Sequence, residues 1–140
     1  MAPKGQLTGM RGVYLVAAEL SRIGFIASPT SRSAIGADIL ATDQSCHKSY
    51  SVQVKTNANT FSFWLLSKKS KEQVSESHIY VLVNIRKKKS EEVIDYYVVP
   101  SKVVADNIVY GEGPNSKWYA VYRKDIDTYK DGWSLFGEPK

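Results

Sequence analysis

Cysteine is nearly absent from this 140-residue sequence. A lone Cys46 excludes an internal disulfide and cannot furnish a zinc cluster with the usual paired spacing. No apolar run approaches the ~20 residues that a bilayer-spanning helix needs. Residues Met1 to Thr8 carry no apolar core of signal-peptide length. A reducing cytoplasm and no membrane partner are therefore expected. Internal repeats and low-complexity segments are missing. So are a glycine-rich phosphate loop, a serine nucleophile elbow and a dinucleotide fingerprint, which leaves the common nucleotide-binding and acyl-transfer classes without their motifs.

What remains has the balance of a globular chain, with 43% hydrophobic and 24% charged residues. The length suits one domain over 1–140, large enough to bury a core without staples. The net charge is +5 and the pI about 9.2. That excess favours polyanionic partners, since phosphates attract it and release counterions on binding.

Periodicity divides the chain. Val13, Val16, Ala17, Leu20 and Ile23 recur at spacings of three and four, the stripe of an amphipathic helix over Thr8 to Ile23, and Gly24 suits its stop. Residues 1–7 read as a flexible lead-in. Strands are expected over Phe25 to Ala27, Ala37 to Thr42, Tyr50 to Thr56, Phe61 to Leu66, His78 to Ile85, Tyr96 to Val99 and Trp118 to Arg123. The almost wholly apolar run at His78 suits a strand buried on both faces. Ser101 can cap a helix reaching Ile108, Gly111 to Pro114 reads as a loop, and Ile126 to Phe136 reads as a helical turn with Trp133 and Phe136 on the core. One helix, then several strands, then helices at the end predict an α/β or α+β sheet with helices packed on it.

Side chains alternate across a strand, so Tyr50, Val52 and Val54 share an apolar face and Ser51, Gln53 and Lys55 share the other. An ordinary half-buried strand has this pattern too. Asp38 follows Gly36-Ala37 at the mouth of an apolar strand. It reads either as a turn residue or as a carboxylate held at a sheet edge. If strands 37–42 and 50–56 form a hairpin, Asp38 comes near Gln53 and Lys55.

A first helix, then Gly36-x-Asp38, then Gln53-x-Lys55 on an alternating strand, resembles the PD-(D/E)XK nuclease superfamily in a QxK variant. The order of elements is similar to its restriction-endonuclease-like and junction-resolvase-like branches. Gly24-Phe25-Ile26-Ala27-Ser28-Pro29 and the tail from Trp118 to Phe136 share the likeness. The resemblance implies a restriction-endonuclease-like α/β fold, a central mixed β-sheet flanked by α-helices, and metal-dependent hydrolysis of DNA phosphodiesters. Its implied metal ligands are Asp38, Gln53 and the Val54 carbonyl, with Mg2+ as the ion and Mn2+ as a substitute. It implies that Lys55 orients water and offsets developing charge. Glu19 of the first helix is a further candidate site member, or else a plain surface partner of Arg22. Gln53 departs from the acidic residue usual there. This keeps an inactive module of the same fold, binding DNA or a partner protein, as the alternative. Relatives of this kind also imply a homodimer, because cutting a duplex takes two sites.

Other residues carry less. His47 reads as a loop histidine, His78 as a strand-edge residue, and Asp43 as a turn residue without an obvious partner. Asp125 and Asp127 suit the start of the last helix. Lys68, Lys69 and Lys71, with Arg86, Lys87, Lys88 and Lys89, form two dense basic runs. They are either solvated strand-end loops or a rim that tracks phosphates without reading sequence. Of the three rings at 61, 63 and 64, Phe61 and Phe63 are expected on the core face.

Overall fold

Helix α1 (Lys4–Arg22) opens the computed structural model, which describes residues 4–31 and 36–137. It begins earlier than the hydrophobic stripe, so residues 4–7 are helical rather than a lead-in, while residues 1–3 of that lead-in lie outside the described residues. Only its inward stripe is buried, at Gly12, Val16 and Leu20. Gly24 ends it with φ at +96°, a left-handed conformation that glycine adopts without a Cβ penalty.

Eleven elements make up the described chain apart from short 3-10 turns. After α1 come β1 (Phe25–Pro29), β2 (Ile39–Asp43), β3 (Ser49–Asn57), β4 (Phe63–Leu66), β5 (His78–Lys88) and β6 (Glu91–Pro100). Then follow α2 (Ser101–Asn107), β7 (Val109–Gly113), β8 (Ser116–Tyr122) and α3 (Arg123–Ile126). Five strands form a mixed sheet in the order β1-β2-β3-β5-β6, in which only β3 and β5 run parallel. Strand β5 is buried from His78 through Ile85, as expected of a central strand covered on both faces.

Two cores lie on the two faces of this sheet. On one, Val16 and Leu20 of α1 meet Ile39, Val52, Val54, Val81 and Val98, and the C-terminal Trp133 and Phe136 close the layer. On the other, Tyr80, Leu82, Tyr97 and Val99 meet Trp64, Val104, Val121 and Ile126. That second layer is built on a three-stranded sheet, order β4-β8-β7, together with α2. The small sheet is not legible in the sequence, because its register joins segments more than fifty residues apart (Phe63 opposite Tyr122).

Several local expectations change. Val109–Gly113 is a strand rather than a loop, because it pairs with β8 from Val109 opposite Ala120 to Gly113 opposite Ser116. Ser101 is the first helical residue of α2 and does not cap it. Its hydroxyl donates to the Ser75 carbonyl (2.8 Å) and accepts from the Ser75 N–H (3.0 Å), tying the loop before β5 to the helix. Trp64, not Phe63, enters the core, and its indole N–H donates to the Val83 carbonyl at 3.1 Å. Asp43 has partners after all. Its carboxylate accepts from the N–H groups of His47 (2.8 Å) and Lys48 (3.0 Å) and from Ser45 (3.0 Å). Those bonds, that from Lys48 first, hold its carboxyl below the usual range and organise the β2–β3 turn. No helix among the described residues is long and apolar enough to cross a membrane.

Candidate active site

The site grows from a mismatch in strand length. Strand β2 pairs with β3 from Ile39 opposite Val52 to Thr42 opposite Ser49. The Asp38 N–H extends the ladder by donating to the Val52 carbonyl at 2.8 Å. Beyond Val52 no β2 residue is left, so β3 from Gln53 onward has a free edge on that side, while its other edge stays paired to β5.

Asp38 fills the gap with its side chain. Its Oδ2 accepts the Val54 N–H at 2.8 Å. In a strand the N–H and C=O of one residue point to the same side. The Val54 carbonyl therefore faces the edge that Asp38 occupies. Gln53 and Lys55 flank Val54 and share the opposite side-chain face of β3. Asp38, Gln53, Val54 and Lys55 all border one cavity of about 380 Å³, whose far wall is the first half of α1. All but Val54 are partly exposed. The Gln53 amide makes no hydrogen bond to another described residue.

Helix α1 approaches β3 closely at one point. A Cβ on Gly12 would overlap the Thr56 hydroxyl and lie 2.8 Å from the Thr56 Cβ. The small residue lets the helix sit directly beside the site strand. From the helix, Gly9, Met10, Val13 and Tyr14 line the cavity, and none is acidic. Glu19 is not among them. At ~100° per residue it lies half a turn of azimuth away from Met10 and about 120° from Val13. Its carboxylate accepts the Arg22 Nε–H at 2.8 Å, and it is near enough to Tyr96 to raise that phenol's pKa, after burial as the larger cause. Glu19 thus stands outside the residues that line this cavity, beside Arg22 and Tyr96.

The donor set is one carboxylate, one amide oxygen and one main-chain carbonyl. These are hard oxygen ligands, and they fit magnesium, which is commonly held by one or two carboxylates and completed by waters and substrate phosphates. Among the described residues no group of three or more His, Cys, Asp or Glu side chains could hold an ion. Among the described residues lining this cavity, Asp38 would give an ion its single negative side-chain charge.

Lys55 and Thr56 also border a second cavity, of about 460 Å³, with Lys4, Asn57, Asn59, Phe63 and Leu65 around it. Lys55 thus stands between two grooves on the same side of the molecule.

The two basic runs lie near opposite ends of β5. Lys68, Lys69 and Lys71 lie in a 3-10 turn packed on α2, near the start of β5, where Ser70 bonds Tyr80. Lys87 and Lys88 lie at the far end of that strand, about 30 Å away at ~3.3 Å per residue. There they face Glu92 and Glu91 across the hairpin, and Lys89 takes the tight turn at φ 59°. Arg86 is engaged by Asp95 at 2.6 Å.

Sequence reasoning undervalued His78. It is buried, its Nδ1 shares a 2.7 Å hydrogen bond with Ser51 Oγ, and its Nε2 has no partner. Burial pushes its imidazole below the ordinary range, with the Ser51 contact working in the opposite direction. It sits next to Ser51 in register, two residues before Gln53 on the same face, so it braces the strand that carries the site.

No family model and no curated protein matches the chain. Among solved structures it is similar to Hjc of Archaeoglobus fulgidus, described as a Holliday junction resolvase from an archaeal hyperthermophile. The TM-score is 0.58 at 14% sequence identity, over 93% of this chain and 96% of that one. The likeness covers the whole architecture: a five-stranded mixed sheet flanked by helices, a junction-resolvase-like nuclease fold.

Proposed function

We propose that this chain is a metal-dependent DNA endonuclease that hydrolyses phosphodiester bonds. The observation that carries the reading is the Asp38 carboxylate, held on the Val54 N–H between Gln53 and Lys55 at the free edge of β3. A fold similar to that of a junction resolvase supports it.

Asp38, the Gln53 amide oxygen and the Val54 carbonyl would hold a magnesium ion, for which manganese would substitute. The ion would polarise the scissile phosphate and supply a more acidic water. The chain's own residues do the rest. The Val54 N–H fixes the Asp38 carboxylate, so its charge is aimed before substrate arrives. The Lys55 ammonium orients the attacking water and offsets negative charge that builds on the phosphoryl oxygens. The wall formed by Met10, Val13 and Tyr14 gives the site an apolar side, where such charges interact more strongly than in open water. Cutting both strands of a duplex takes two such sites, so the unit acting on duplex DNA would be a pair of chains.

One observation favours a second reading. The site has a single carboxylate, and α1 turns no acid toward it. A nuclease fold that keeps DNA or protein binding without cleavage would have this composition. Plasmid cleavage with magnesium or manganese, against an EDTA control, separates the two. The nuclease reading expects metal-dependent nicking that Asp38→Asn abolishes while the circular dichroism spectrum stays unchanged. Lys55→Ala should cost ~2–4 kcal/mol of transition-state stabilisation. A wild-type chain that cuts no DNA form with either ion, yet binds DNA, leaves the binding module.

A further inference from the structure

The small sheet has an outer face that no described element covers. Register places Phe63 opposite Tyr122, Leu65 opposite Ala120, Ala120 opposite Val109, and Trp118 opposite Gly111. With Trp64 and Val121 turned to the core, alternation sends this set outward. Leu65 is 59%, Val109 44% and Trp118 40% exposed, large values for side chains of this kind. The Phe63 and Tyr122 rings touch, with centroids 5.8 Å apart. Trp118 lies flat across its neighbour, since a Cβ on Gly111 would fall into the indole ring. Gly111 and the buried Ala120 leave a shallow floor with rings at both ends.

Cations border this strip. The Lys124 ammonium sits 6.0 Å from the centre of the Tyr122 ring. At the β4 edge, Phe63 and Leu65 form one wall of the 460 Å³ cavity that contains Lys4 and Lys55. The strip is thus continuous with the candidate site through Lys55. Tyr122 to Trp118 spans four residues, about 13 Å along the strand. Exposed rings with ammonium groups beside them match what an unpaired nucleotide offers, a π-face and a phosphate. A duplex hides its bases in the stack and offers the strip only its backbone.

We propose that the outer face of β4, β8 and β7 is a stacking platform for an unpaired nucleic-acid strand, of about two or three bases, leading to or from the cavity at Lys55. The inference rests on the nuclease reading and deepens it: the substrate then carries a single-stranded stretch beside the bond that is cut.

The test is a titration of the full chain with short oligo(dT), and separately with duplex DNA of equal length, in EDTA so that nothing is cleaved. Trp64 and Trp133 are buried, so Trp118 is the tryptophan whose emission stacking would quench. Quenching by oligo(dT) is expected. Trp118→Leu, which still covers Gly111, should remove it and weaken oligo(dT) binding about tenfold or more, the scale of losing one base–ring stack. Binding of the duplex should hold. Tyr122→Leu should weaken oligo(dT) binding likewise, which keeps the test decisive if Trp118→Leu disturbs β7. Equal oligo(dT) affinity in both variants and wild type overturns the proposal. So does sedimentation showing that this face is closed by a second copy, with dimers lost in Trp118→Leu. Cleavage abolished by Asp38→Asn, with oligo(dT) indifferent to both ring variants, would sink the platform alone. No DNA form cut and none bound would sink the nuclease reading.

Discussion

Gly12→Ala tests how α1 is seated against the site strand. In an exposed helix this change stabilises by ~0.8–1 kcal/mol, because alanine has the higher helix propensity. Here the new methyl would meet Thr56. It would overlap the hydroxyl, lie 2.8 Å from the Thr56 Cβ and 3.1 Å from its Cγ2. Rotating Thr56 moves the hydroxyl but not the Cβ, so no rotamer clears the contact and the helix must shift outward. Overpacking of that kind costs ~1–3 kcal/mol. With the clash at the upper end and propensity offsetting about 1, the net loss should be about 2 kcal/mol. The assay is urea unfolding followed by circular dichroism, with the midpoint compared at constant slope. Thr56→Ala removes the two outer atoms and leaves only the Cβ contact. In that background Gly12→Ala should cost at least about 1 kcal/mol less, a coupling that a double-mutant cycle reads directly. A Gly12→Ala protein as stable as wild type, or more stable, would refute the close approach and with it the placement of the cavity wall.

Gln53→Glu adds the carboxylate that the site lacks, so manganese binding followed by calorimetry should tighten; unchanged affinity would remove Gln53 from the ligand set. Neutralising Lys87, Lys88 and Lys89 together should weaken duplex binding and flatten its salt dependence. The effect should be smaller than three free charges would give, because Glu91 and Glu92 already face two of them; no change in either quantity would take that hairpin out of the DNA contact surface. Asp95 is a pH probe. Burial alone would push its carboxyl up, but the bond from Arg86 and the charges of Lys130 and Arg86 outweigh it and leave it below its ordinary value. A depressed carboxyl binds protons less readily folded than unfolded. Its stabilisation is therefore complete above the unfolded value of about 3.9 and is lost as pH falls through the lower folded value. Arg86→Gln should lower stability at neutral pH and make the acid limb of the urea midpoint shallower; an acid limb unchanged from wild type would count against the ion pair.

Much of the candidate site was legible because its signals are local. Alternation by itself put Gln53 and Lys55 on one face of β3, and Gly36-Ala37-Asp38 marked a carboxylate at a strand mouth. The nearness of Asp38 to that pair depended on a hairpin, and a hairpin is a short-range pairing that neighbouring hydrophobic runs specify. The place of Glu19 is less legible for the opposite reason. Helical periodicity fixes the angles between residues of one helix, but only packing fixes which flank meets β3.

Sequence alone determined the amphipathic α1 and the doubly buried β5, since each follows from spacing and side-chain chemistry within a few residues. Tertiary structure decided the rest. It exchanged Trp64 for Phe63 in the core, because β4 pairs with a strand over fifty residues later and that register chooses its inward face. It made Val109–Gly113 a strand for the same reason. It also separated the two lysine runs, since a strand of eleven residues stands between them, and chain order does not show which ends of a sheet lie close together.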